Sequence, residues 1–167
     1  MFYNDNMKKA FPPLVHSKCT ILILGTMPGE KSLELGEYYG NRGNQFWKLM
    51  YNVLNEDFSL DYENRKSLLG KYNIALWDVL EFCERQGSLD SNIKNEIPNN
   101  FDDFYNNHPD IKHVLFSSKN AAVYYDKYVG RKDNLNYDVL PSPSGANATK
   151  SFVEKLEIWT KKILPLT

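Results

Sequence analysis

Three short stretches of the 167-residue chain concentrate the residue types that could bind and cleave a polar ligand. Gly25-Thr-Met-Pro-Gly29 follows an apolar run and makes a tight turn. Glycine permits positive φ and close approach of the backbone, and Pro28 stiffens the turn. Taken alone these five residues read more simply as a structural turn, and they match neither the phosphate-loop nor the dinucleotide fingerprint. Tyr38-Tyr39-Gly-Asn-Arg-Gly-Asn44-Gln-Phe-Trp47 sets aromatic rings beside side-chain amides and Arg42 in a Gly-rich segment. A ring can stack on a nucleobase for about 1–3 kcal/mol. An amide carries both a donor and an acceptor and can read a base edge. Phe46 and Trp47 fit a helical period and are assigned to the core, whereas Tyr39 and Asn44 stay open between packing and ligand contact. Pro141-Ser-Pro-Ser-Gly-Ala-Asn147 is short, stiff and rich in hydroxyls. Such a loop ahead of a helix can hold a phosphate on its backbone N–H groups or enter a duplex. It is equally a capped helix start, with Ser144 or Asn147 as the cap.

Other chemistry is thinly represented. His16, His108 and His113 show no ligand spacing with Cys19 and Cys83, so no metal site is expected. No Gly-x-Ser-x-Gly elbow occurs. Both cysteines sit in apolar runs and read as small core residues in a chain expected to be intracellular. Most carboxylates read as solvated surface. Asp78, directly after an apolar run, is the one to watch, and it is expected to cap a helix.

The elements that must position these stretches alternate. Thr20–Leu24, Asn73–Trp77, Lys112–Phe116 and Tyr137–Leu140 read as short strands, the first of them a continuous apolar run suited to a buried parallel strand. Gly25 to Gly43 reads as a long loop. Phe46, Leu49, Met50, Val53 and Leu54 recur with helical spacing. A second helix is expected over Tyr62–Lys71, a helical turn over Asp78–Glu84, a polar loop over Gln86–Asn100, and a short helix over Phe101–Asn107. A helix marked by Ala121, Ala122, Tyr125, Tyr128 and Val129 starts just after Ser117-Ser118. A last one places Phe152, Val153, Leu156, Trp159 and Ile163 on one face. The class is α/β, with a mainly parallel sheet and helices on both sides. Ligands bind such sheets at the carboxyl ends of the strands, and three of the four strands end in one of the polar loops. The loops therefore converge on one edge.

The bulk numbers set limits on this reading. One domain over residues 1–167 is expected, and 42% apolar against 25% charged residues is ordinary for a water-soluble domain. A net charge of −1 argues against indiscriminate electrostatic capture of nucleic acid and leaves room only for a local basic face. No apolar run reaches transmembrane length, and Met1–Phe11 lacks the apolar block of a leader.

An ordered set of residues carries a family resemblance. Gly25-Thr-Met-Pro-Gly29, Ser32-Leu33, Tyr38-Tyr39, Asn44-Gln-Phe-Trp47, Ala75-Leu-Trp-Asp-Val-Leu80, Gly87-Ser-Leu-Asp-Ser-Asn92 and Leu140-Pro-Ser-Pro-Ser-Gly-Ala-Asn147 resemble the hypoxanthine branch of the uracil-DNA glycosylase superfamily, across about residues 20 to 160. One such motif is weak, but the set at compatible spacing is specific. The resemblance implies a three-layer α/β/α fold around four parallel strands, working without cofactor; nothing in the sequence demands a dimer, and a monomer is expected. It implies removal of a deaminated base, hypoxanthine or uracil, from DNA without a lyase step, on a nucleotide flipped out of the helix. By position, Gly25, Thr26, Met27, Pro28 and Gly29 shape the catalytic pocket, Tyr39 stacks on the flipped base and Asn44 supplies the polar catalytic group. Ser142, Pro143, Ser144, Gly145, Ala146 and Asn147 enter the minor groove.

The sequence departs from the superfamily at three places. Met27 stands where many members have Asn or Asp to place the attacking water, a departure the hypoxanthine branch shares. Leu140 stands where some members have a His for the leaving base. Ser117-Ser118 stands where relatives often carry an Asn-Gly whose Asn reads the base. The expected mechanism is hydrolysis through an oxocarbenium-like sugar with the base leaving as a stabilised anion, Asn44 holding water or base and backbone N–H groups near Met27 and Ser117 stabilising charge. No carboxylate is obviously placed as a base, so a modest rate is expected. Lys31, Arg42, Lys119 and Lys150 lie in or near the same loops and are candidates for phosphate contacts. Two other readings stand beside this one: a DNA-binding module of the same fold without catalysis, and an unrelated α/β enzyme for a small nucleotide.

Overall fold

A computed structural model describes residues 6–167 of the chain, so Met1–Asp5, which belong to the N-terminal segment read above as lacking a leader, lie outside the described residues. In chain order the elements are β1 (Met7–Lys9), β2 (Ile21–Gly25), α1 (Glu30–Leu35), α2 (Phe46–Val53), α3 (Tyr62–Lys71), β3 (Ile74–Asp78), β4 (Leu80–Glu84), β5 (Lys94–Pro98), α4 (Phe101–Asn107), β6 (His113–Phe116), α5 (Lys119–Tyr128), β7 (Asn136–Val139) and α6 (Phe152–Ile163). A 3₁₀ turn, Asp90–Asn92, precedes β5, and another, Leu164–Leu166, follows α6.

Four strands form the main sheet in the order β3-β2-β6-β7, every pair parallel. Alternation along the strands makes its two faces. Leu22, Leu24, Ala75, Trp77, Val114 and Phe116 point into one apolar cluster with Phe101 and Phe104 of α4 and Ala121 and Tyr125 of α5. Ile21, Ile23, Ile74, Leu76 and Leu115 point into the other, with Phe46, Leu49 and Met50 of α2, Leu68 and Leu69 of α3, and Trp159 of α6. A sheet buried on both faces needs continuous apolar strands, which is why β2 and β3 are buried throughout. The result is the expected three-layer α/β/α arrangement. The strand after β2 in sequence pairs on one side of it and β6 on the other. The carboxyl end of β2 is therefore the point where the strand order reverses, and open α/β sheets bind ligands there.

Several local expectations are corrected. Asp78 caps no helix: it ends β3, and Leu80–Glu84 continues as strand β4, not as a helical turn. β4 pairs antiparallel with β1 and β5 in a second, three-stranded sheet, so Gln86–Asn100 is not simply loop. The Gly25–Gly43 loop contains the short helix α1, ended by Gly36 at φ 70°. In α6, Val153 is 72% exposed and Lys155 is buried in its stead. That helix is capped by Ser151, whose Oγ accepts from the Glu154 N–H while Glu154 accepts from the Ser151 N–H, and not by Ser144 or Asn147. Ser118 does cap α5, accepting from the Ala121 N–H.

Candidate active site

The carboxyl edge of the main sheet opens into a cleft of about 1120 Å³, lined by the turn 25–29, by Tyr38, Tyr39 and Asn44, by Ser117 and Ser118, and by the loop 140–147. The three loops expected to meet do meet, and every predicted site residue lines this cleft. Of the four candidate phosphate contacts, Lys31, Lys119 and Lys150 lie on its wall and Arg42 does not.

Gly25 ends β2 at the cleft floor. A methyl group built there would lie 2.6 Å from Asp78 Oδ1, 3.1 Å from the Tyr39 hydroxyl and 3.6 Å from Ser117 Oγ. Glycine is needed because three polar side chains from three elements close over its Cα. Tyr39 Oη donates to Ser117 Oγ at 3.0 Å, and the Tyr39 ring stacks on Phe46 with centroids 4.0 Å apart. Tyr39 sits at φ 52°, an unusual conformation for a bulky residue, and its neighbours hold it there. The Tyr38 carbonyl accepts from Trp47 Nε1 at 2.9 Å, and the Gly40 N–H donates to Ser32 Oγ at 3.0 Å. Burial and the nearby Asp78 charge push the Tyr39 phenol well above its ordinary pKa, so it stays a neutral donor.

Asn44 lies at the entrance to α2, and its Oδ1 accepts from the Phe46 N–H at 2.8 Å. Its acceptor is thus engaged in ordering the helix start, and the Nδ2 amide is the part it can offer a ligand. The Ser117 N–H donates to the Leu24 carbonyl at 2.8 Å, as a sheet ladder requires. It cannot also stabilise a developing anion, which corrects one expected source of such help.

The loop 141–147 is stapled from within and from behind. Asn147 Nδ2 donates to the Ser142 carbonyl, the Asn147 N–H to the Ser144 carbonyl, and Trp159 Nε1 to the Pro141 carbonyl. Pro143 is buried and its carbonyl accepts from the Gln45 N–H, whereas Gly145 and Ala146 form the exposed tip. Beneath the loop, buried Lys155 donates to Gln45 Oε1 at 2.9 Å and to the Ser144 carbonyl at 3.3 Å.

The sequence singles out Asp78 but only as a helix cap, and it gives Asp90 no role, so the acidic side of the cleft comes from the structure. Asp78 and Asp90 both line it, and Asp78 is only 4% exposed. Arg85, also buried, sits behind them with Nη1 3.6 Å from Asp90 Oδ1. It donates through Nη2 to the Pro28 carbonyl and through Nε to the Gly87 carbonyl, which ties the 25–29 turn to the segment carrying Asp90. Ser88 Oγ reinforces the tie by accepting from the Glu30 N–H at 2.9 Å. Desolvation first, and the Asp90 charge second, push the Asp78 carboxyl up to about 7. The Asp90 carboxyl is also raised by burial, while Thr26, Arg85 and Asn120 pull it back. Among the described residues, Asp78 Oδ2 is buried without a hydrogen-bond partner. The available signal for Asp78 was its place at the end of a continuous apolar run, which marks a strand buried on both faces.

An α/β/α protein with a stacking aromatic, a side-chain amide and a stiff, outward loop around one cleft at the strand carboxyl ends has the architecture of an enzyme that takes a flipped nucleotide. The chain belongs to the uracil DNA glycosylase superfamily, whose family model matches residues 12–162. It is 38% identical over 141 residues to a hypoxanthine DNA glycosylase of Methanosarcina barkeri (strain Fusaro), covering 84% of this chain and 88% of that protein. A hypoxanthine DNA glycosylase of Methanosarcina acetivorans is 35% identical over 144 residues, with 84% and 89% covered. The solution NMR structure of a candidate uracil DNA glycosylase from Methanosarcina acetivorans superposes with a TM-score of 0.82 at 34% identity, covering 96% of this chain and 98% of that one. The chain is accordingly a DNA glycosylase, a hydrolase acting on N-glycosyl bonds.

Proposed function

We propose that the protein excises a deaminated base, hypoxanthine or uracil, from DNA by monofunctional hydrolysis of the N-glycosyl bond, acting as a monomer without cofactor. The observation that carries this reading is the convergence of Tyr39, Asn44 and the stapled 141–147 loop on one cleft. Tyr39 is already stacked on Phe46, so a flipped base on its other face extends the stack by one ring. Asn44 Nδ2 donates to the base or to the attacking water. The exposed Gly145-Ala146 tip, on a loop fixed from behind, enters the minor groove and fills the gap left in the helix. Lys31, Lys119 and Lys150 on the cleft wall neutralise flanking phosphates. Both Methanosarcina relatives carry hypoxanthine in their names, which favours that base as a substrate.

The test uses labelled duplexes carrying one uracil, hypoxanthine or xanthine, incubated with excess protein and then treated with hot alkali. Breaks at one modified base and not at normal bases are expected. Binding without breaks on any duplex or single strand would return the protein to a silent DNA-binding module.

Asn44 is tested by two replacements. Asn44→Asp keeps the oxygen that caps α2 and loses the amide donor, so stability holds while base release falls about 100-fold. Asn44→Ala loses both and destabilises the fold by about 1 kcal/mol as well. Equal base release in the parent and in Asn44→Asp would remove Asn44 from the chemistry.

A further inference from the structure

Met27 cannot take a proton from water, and Asn44, with its oxygen engaged in the α2 cap, offers donors only. The acidic side of the cleft supplies what both lack. Even exposed carboxylates with a structural task spend their oxygens on nearby donors: Asp61 accepts from the N–H groups of Glu63 and Asn64, and Asp138 from the Val139 N–H and Lys162. Asp78 does not: it is more deeply buried than either, and its Oδ2 has no partner while the residue lines the cleft. Asp90 reaches the same cleft from a different element, with 26% of its side chain exposed and Arg85 at its back. The two carboxyls thus have different surroundings. One is sealed over Gly25 with no cation in contact among the described residues, and the other is partly exposed and paired with a guanidinium. Neighbouring carboxyls whose environments separate their proton affinities are the arrangement that divides acid from base.

We propose that Asp90 and Asp78 are the proton-transfer pair of the hydrolysis, Asp90 taking a proton from the attacking water and Asp78 giving one to the departing base. This rests on the glycosylase reading above. The C1′–N bond breaks with its electron pair leaving on the base, and the water oxygen bonds to C1′. One water proton passes to the Asp90 carboxylate, and the proton held by Asp78 passes to the base. Return of the Asp90 proton to Asp78 restores the pair with one proton between them. The raised affinity of Asp78 fits the donor role at neutral pH, since desolvation and the Asp90 charge both favour its neutral form. The charged and titratable groups acting on Asp78 are Asp90 and Arg85. Burial first, and the Asp78 charge second, raise the phenols of Tyr38 and Tyr39, which stay neutral through this range.

The experiment measures single-turnover hypoxanthine release between about pH 5 and about pH 9 for the parent, Asp78→Asn and Asp90→Asn. Binding to a duplex carrying a 2′-fluoro, non-cleavable deoxyinosine and thermal unfolding are followed in parallel. The parent gives a bell-shaped profile, needing Asp90 ionised on its acid side and Asp78 protonated on its alkaline side. Asp90→Asn lowers release about 100-fold or more and removes the acid limb. Asp78→Asn lowers it about tenfold and removes the alkaline limb near pH 7. Both bind the non-cleavable duplex within about threefold of the parent. Variants that keep the parental rate and both limbs overturn the pair, and so does a loss of release matched by an equal loss of binding. If Asp78→Asn does not fold, Asp90→Asn and Asp90→Ser decide alone, because Asp90 lies on an accessible segment. A parent that releases no base sinks the glycosylase reading and the pair with it, whereas an active parent with unchanged variants sinks the pair alone.

Discussion

The floor and the rim of the cleft both hold buried charge, and they treat it in opposite ways. At the rim, Lys155 is 1% exposed without a carboxylate in contact among the described residues, yet Gln45 Oε1 and the Ser144 carbonyl accept from its ammonium. The loops it joins are further tied by the Gln45 N–H to the Pro143 carbonyl. At the floor, Asp78 Oδ2 is as deeply buried and is left without a partner among the described residues. Burying a polar group costs several kcal/mol unless its hydrogen bonds are replaced, so the two arrangements have different energetic meanings. The rim has spent its polar capacity on fixing geometry. The floor has kept its capacity unspent where the proposed substrate would lie, and on that reading the local destabilisation is what a preorganised site costs.

The largest expected effect breaks the floor while sparing the rim. Gly25→Ala puts a methyl 2.6 Å from Asp78 Oδ1 and 3.1 Å from the Tyr39 hydroxyl, so both must move by a substantial fraction of an ångström. Base release should fall about 100-fold or more, as misplacement of this size does in other active sites. Affinity for the non-cleavable duplex, set at the rim, should change by less than about threefold. A proportional loss of affinity would show that the floor and the rim are not separable.

The next effect reads the floor through stability. Asp78 binds its proton with an affinity near pH 7 when folded and near its ordinary carboxyl value when unfolded. Between those values the folded chain holds more protons, so this group's contribution makes stability fall as pH rises from about 4 to about 7, then level off. Asp78→Asn removes that titration. The variant should therefore gain on the parent across this window, by up to about 4 kcal/mol at pH 8, and should lose the gain at pH 4. Thermal unfolding at the two pH values measures it. A gap between variant and parent that does not change with pH would mean that Asp78 carries the same charge at both.

How much of this could be read from sequence depended on how strongly each segment's burial shows in its composition. The strands β2, β3, β6 and β7 are apolar or end in apolar residues because the sheet is covered on both faces, and α2 shows its period because one face packs on that sheet. The second sheet was not legible. Lys94–Pro98 carries charges and a proline, Met7–Lys9 is only three residues long, and no position of either strand is fully buried. The candidate site was legible where glycine, proline and aromatics punctuate the loops. It was illegible where function rests on a partner distant in sequence. Asp78 looks like a helix cap until β4 follows it, and Asp90 has no neighbour in sequence to reveal that Arg85 and Asp78 meet it. Lys155 looks like an ordinary surface lysine until the 141–147 loop covers it.

The smallest expected effect breaks the rim and leaves the floor alone. Gly145 approaches Gly43 so closely that a methyl on it would lie 2.5 Å from the Gly43 carbonyl oxygen and 3.3 Å from its carbon. Those are backbone atoms, which cannot swing aside as a side-chain end can, so Gly145→Ala must push the 141–147 loop away from the segment leading into α2. Asp78, Asp90 and Gly25 lie on other elements and keep their places. Affinity for duplex should weaken about tenfold, equivalent to about 1.4 kcal/mol. Release from the saturated complex should stay within about threefold of the parent, because groups that bind equally before and at the transition state change KM and not kcat. A fall in release at saturation as large as the fall in affinity would mean that the loop sets the chemistry as well as the grip, and that the rim's rigidity serves the reacting bond itself.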